Sequence, residues 1–143
     1  MPEMPESHRI VLTPADLFCQ DAHTAGPENS IRREELLEYD VRIHGSAGDS
    51  IIFWGPYIPL YPGVYLFSFH GKLDGELYVD FSHTSGEAVL KAERMKSFDK
   101  PLCLALTRPV ERFEVRAHRT PELKLMRLEG IAIDYIPVKQ DDS

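Results

Sequence analysis

Trp54, Tyr57 and Tyr61 fall close together in the run FWGPYIPLYPG, flat rings set among glycine and proline. Such rings carry an apolar face and a polar tip. A sugar ring offers a matching C–H face, and its hydroxyls need a few well-placed polar partners. The chain supplies partners on two alternating segments, Tyr78 and Asp80 in LYVDFSH and Arg116 in ERFEVRAHR. Trp54, Tyr57, Tyr61, Tyr78, Asp80 and Arg116 are therefore the candidate ligand-binding residues. The competing role for Trp54 and Tyr57 is plain packing at a sheet edge.

Other chemistries find less support. Ser46 in HGSAG lacks the strand–turn–helix setting of a nucleophile elbow and reads as a turn serine. His70, His83 and His118 lie on different segments without a His-x-His pair, so they read as surface histidines. Asp74, Glu76, Asp80 and Glu87 sit near turns or on outward positions and read as solvated carboxylates rather than a glycosidase pair. Cys19 in DLFCQ and Cys103 in PLCLAL read as small buried apolar residues. No enzymatic activity is expected.

The bulk composition fits one globular domain. The chain has 143 residues, 43% hydrophobic and 27% charged, enough for one core and too apolar for a disordered chain. Its net charge of -7 opposes non-specific nucleic-acid binding, which needs Lys and Arg to neutralise phosphates. MPEMPESHRIVL lacks the basic and apolar regions of a secretory signal. No run approaches the roughly 20 apolar residues that span a bilayer. A cytoplasmic protein with neither membrane nor nucleic-acid partner is expected.

The elements that would position these residues are strands. A flexible segment 1–7 precedes one domain over 8–138, and 139–143 forms a polar tail. HRIVLT reads as a short strand, PADLFCQ as a turn and a second strand, and DAHTAGPENS as a long loop. Ser30 could cap a short helix, but Leu37, Tyr39, Val41 and Ile43 alternate with polar residues and favour a strand over 37–44. GSAGDS is then a turn. Farther on, Tyr65, Phe67 and Phe69 alternate against Val64, Leu66 and Ser68. Asp74-Gly75 reads as a type I′ hairpin turn. Leu77, Val79 and Phe81 share a face, as do Phe113, Val115 and Ala117, and Ile131, Ile133 and Tyr135. Eight to ten short strands with frequent turns predict an all-β antiparallel sandwich.

The order of these motifs carries a resemblance. GPYIPLYPGVYLFSF, then DGELYVDF, then VERFEVRAHRTPELKLMRLEGIAIDYI resembles the jelly-roll β-sandwiches of carbohydrate-binding modules. It also looks like small β-sandwich domains attached to bacterial glycosyltransferases. The likeness covers Ile51 to Val138. It implies a non-catalytic carbohydrate-binding module, with a sugar, an attached catalytic domain or a second copy as partner. Such modules often hold a structural calcium through an aspartate of the last strand, which Asp134 in AIDYI matches. The first strand offers only Asp16 as a second carboxylate, whereas calcium takes six to eight oxygens. No obligatory cofactor is expected. The alternative is a structural domain whose outward Val64, Leu66 and Ile136 dock a partner. A cupin-type enzyme is disfavoured by the missing histidine motif.

Overall fold

The structure, a computed structural model, describes residues 8–19, 31–32, 37–40, 51–83 and 88–137. The loop expected at 21–30, the cap at Ser30, the turn at 45–50 with Ser46, and the terminal segments lie outside the described residues. So do the second half of the strand expected at 37–44, and Glu87.

Twelve strands run in chain order: β1 (His8–Leu12), β2 (Phe18–Cys19), β3 (Ile31–Arg32), β4 (Leu37–Asp40), β5 (Ile51–Trp54), β6 (Pro56–Leu60), β7 (Gly63–Asp74), β8 (Leu77–His83), β9 (Ala88–Met95), β10 (Leu102–Leu106), β11 (Val110–Arg119) and β12 (Leu125–Pro137). β2 and β3 are two-residue pairings, which leaves ten longer strands. One sheet has the order β10-β7-β12-β4-β3, with β1 also on β12. The other has the order β2-β5-β11-β8-β9, with β6 also on β11. Each pairing is antiparallel.

The alternation read from the sequence places the core. Strand side chains point to opposite faces in turn, so one phase of each strand is buried. Tyr65, Phe67 and Phe69 of β7 are buried, and so are Leu77, Val79 and Phe81 of β8. Phe67 joins the two sheets, its ring centroid 4.5 Å from Phe81 and 5.7 Å from Phe113. The protein is an all-β sandwich of two antiparallel sheets.

Two sequence expectations shift. Cys103 is exposed, because β10 turns Leu102, Leu104 and Leu106 inward and leaves Cys103 and Ala105 outward. Strand phase outweighs the apolar character of a thiol there. The last strand, β12, runs 13 residues, with a register shift between Leu128 and Gly130 where the chain bulges. At the β7–β8 connection only Gly75 has positive φ, at +100°, so Asp74-Gly75 is not the I′ pair. Among the described residues no helix is long and apolar enough to cross a membrane.

Candidate functional site

The outward face of the β2-β5-β11-β8-β9 sheet collects most of the candidate residues. Phe113, Val115 and Ala117 take the inward phase of β11, which leaves Glu114, Arg116 and His118 on the other face. On β8 the same logic sends Tyr78, Asp80 and Ser82 outward. The register pairs Glu114 with Ser82, Arg116 with Asp80 and His118 with Tyr78. Two alternating strands thus build one polar row, because cross-strand partners share a face.

The row is bonded and largely dry. Asp80 is 2% exposed, although it points away from the core. Arg116 Nε donates to its Oδ1 at 2.8 Å, and His118 Nε2 meets Oδ2 at 2.7 Å. Burial pushes the Asp80 carboxyl up, but the bonds and charges of His118 and Arg116 outweigh it and hold the group below the usual aspartate range. The bond to Asp80 likewise raises Arg116. Ser82 Oγ donates to Glu114 Oε1 at 3.3 Å. Arg116 Nε stands 3.9 Å from the same oxygen. Tyr78 closes the row, its ring 5.5 Å from that of His118 and 5.9 Å from the Arg94 guanidinium.

An aromatic group adjoins the Glu114 end. Phe18 pairs with Trp54 across β2 and β5 and stacks on it, centroids 6.1 Å apart and planes 21° apart. Phe18 also meets Tyr57 at 5.7 Å, and the Arg112 guanidinium lies 5.3 Å from the Tyr57 ring centre. Burial, then the neighbouring Glu114 carboxylate, pushes the Tyr57 phenol up. Tyr57 is therefore the link between rings and polar row. It is also the only non-glycine residue with positive φ, at 66°, among the described residues. Strain of that kind persists only where the surroundings impose it, and it gathers at functional sites.

Of the sequence-selected residues, Trp54, Tyr57, Tyr78, Asp80 and Arg116 come together on this face. Tyr61 does not join them: its carbonyl accepts from the Tyr65 hydroxyl at 2.6 Å, at the crossing toward the other sheet. Phe18, Arg112, Glu114 and His118 belong to the site and were missed. The phase of ERFEVRAHR already put Glu114 and His118 beside Arg116. The reading of His118 as a surface histidine hid it, and the structure corrects that for His118, part-buried, and corrects the solvated reading of Asp80, which is buried.

Asp134 and Asp16 are engaged elsewhere. Arg9 Nε and Nη2 donate to the two oxygens of Asp134 at 2.7 and 3.1 Å. Asp16 Oδ2 accepts from the Thr13 amide at 2.8 Å and its hydroxyl at 3.2 Å, closing the short turn after β1. Among the described residues no group of three or more His, Cys, Asp or Glu is arranged to hold a metal.

Comparison with known proteins gives no match: no protein-family model fits the chain, and no curated protein and no solved structure matches it.

Proposed function

We propose that this sandwich is a non-catalytic carbohydrate-binding module of jelly-roll type, working in a bacterial polysaccharide or glycosyltransferase system. The observation that carries the reading is the juxtaposition of the Phe18–Trp54–Tyr57 rings with the Glu114–Arg116–Asp80–His118 row on one sheet face. Rings take the C–H face of a sugar, and the row offers acceptors and donors to its hydroxyls. Catalysis finds no support in the row. Asp80 has both oxygens bonded and a lowered pKa, which suits a positioning residue and not a general acid. Ser82 bonds Glu114, leaving it without a histidine base. Affinity should be modest, because an open face buries little ligand area.

A glycan array followed by titration of Trp54 fluorescence tests the reading. Trp54→Ala is expected to weaken sugar binding about tenfold or more, the worth of one good stacking contact. Its melting temperature should stay close to wild type, since Trp54 lies at the margin of the core. Silence of the wild-type protein toward every glycan would end the proposal. Loss of folding in Trp54→Ala would make the ring part of the core instead.

The reading needs no metal. A calcium at Asp134 would have to displace a guanidinium bonded to both carboxylate oxygens. Calcium added to EDTA-treated protein is therefore expected to leave the melting temperature unchanged. A rise of several degrees would assign a site there.

A second reading has its own observation. On the outward side of the other sheet, Val11 is 57% and Ile136 48% exposed, beside Val64, Leu66 and Ala105. That stripe would suit an attached catalytic domain or a second copy of the chain. Sedimentation analysis reads it directly: a monomer at all concentrations removes the second copy.

A further inference from the structure

Glu114 is a buried charge with one oxygen unanswered. The residue is 2% exposed. Ser82 Oγ donates to Oε1 at 3.3 Å, the Tyr57 hydroxyl and Arg116 also meet the carboxylate, and Oε2, fully enclosed, has no hydrogen-bond partner among the described residues. Buried polar atoms are nearly always bonded, and a lone exception in a native fold asks for a reason. Its neighbours point toward a ligand. Arg116 Nε is taken by Asp80, and the guanidinium also stands 3.9 Å from Glu114 Oε1. Tyr57, in its left-handed backbone, stands beside the carboxylate, and next to it lies the Phe18–Trp54 stack.

We propose that Glu114 is the polar anchor of the face and that its Oε2 accepts a hydroxyl of a neutral sugar. The inference rests on the carbohydrate-binding reading and names its ligand class. The adjacent sugar hydroxyl accepts from the Arg116 guanidinium, so one vicinal diol answers both groups. The charges select the class. Arg112 and Arg116 stand against Asp80 and Glu114, so the site carries no net pull on a charged sugar. A uronate would set its carboxylate against that of Glu114. An ammonium sugar would answer Glu114 but set its charge against Arg116, which stands 3.9 Å from the same carboxylate. A hydroxyl can donate to one partner and accept from the other. Because Oε2 is enclosed, the ligand reaches it by shifting a neighbour, and Tyr57 is the ring placed to move.

Glu114→Gln and Glu114→Leu test this in the full chain by thermal unfolding and Trp54 fluorescence. The probes are maltotriose, cellotriose and mannotriose as neutral sugars, with glucosamine trimer and trigalacturonate as charged ones. The wild-type protein is expected to bind at least one neutral probe and neither charged one. Both variants should lose about tenfold or more in affinity, the worth of one charge-assisted hydrogen bond. Glu114→Leu should also melt higher than wild type, because a buried carboxylate with one unbonded oxygen has left a dry site while Arg116 keeps Asp80. A merely structural carboxylate would make that variant melt lower, which overturns the proposal. Wild-type affinity in Glu114→Gln, or equal binding of a charged probe, overturns it too while leaving the carbohydrate reading intact. A wild-type protein silent to all the sugars removes both.

Discussion

Asp80→Ala is expected to cost about 3–5 kcal/mol of unfolding free energy, the range for removing one partner of a buried ion pair. The argument lies in what is left behind. Asp80 is 2% exposed and holds Arg116 at 2.8 Å and His118 at 2.7 Å. Without it the Arg116 guanidinium, only 22% exposed in its side chain, loses its close anion. Glu114, 3.9 Å away, can recover part of the loss and sets the variant toward the lower end of the range. Urea unfolding measures the cost. A value under about 1 kcal/mol would reclassify the row as an ordinary solvated ion pair.

The same group leaves a signature in pH. Its folded pKa lies below the ordinary aspartate value of 3.8. Asp80 therefore contributes its stabilisation at pH values above that ordinary value. The contribution fades as pH falls through the lower folded pKa, where the carboxylate is protonated in both states. Wild-type protein should lose stability in that acid window, and Asp80→Asn should lose less across it. Parallel acid-unfolding curves for the two proteins would contradict the assignment.

Gly75→Ala is the second large expectation, at about 3 kcal/mol or more. Gly75 joins β7 to β8 with φ +100°, a region costly for any residue with a Cβ. The space is closed as well. A Cβ there would stand 2.0 Å from the Glu122 carbonyl oxygen and 2.9 Å from its carbon. Both are backbone, so nothing can rotate away. The Lys124 amide also donates to the Asp74 carbonyl at 2.9 Å, tying the turn before β12 to this connection. The substitution must break that tie or strain it, and either adds to the conformational cost. Thermal unfolding reads the effect, and a melting temperature near wild type would show that the two turns separate freely.

These two positions show where sequence reading reaches and where it stops. Gly75 was legible as a turn glycine, since Asp-Gly between alternating segments marks a reversal of the chain. The reason only glycine fits was not legible. It comes from a turn some 47 positions later, at Glu122, laid against the hairpin. Asp80 was legible as a polar residue on the phase opposite Leu77, Val79 and Phe81. Its burial was not, because an outward position on a sheet is wet by default. Here its cross-strand partner Arg116 and the neighbouring His118 dry it from the β11 side.

The sequence by itself determined the all-β sandwich, the inward phase of most strands, and the outward side of Asp80 and Arg116. These follow from a two-residue period that each strand carries within itself. Only the tertiary structure decided that Phe18 would stack on Trp54, that Tyr57 would join the rings to Glu114, and that Glu114 would be buried with one oxygen unbonded. Those facts depend on pairing β2 with β5 and β6 with β11. Such pairings are set by the global balance of burial and hydrogen bonding, and no local period records them.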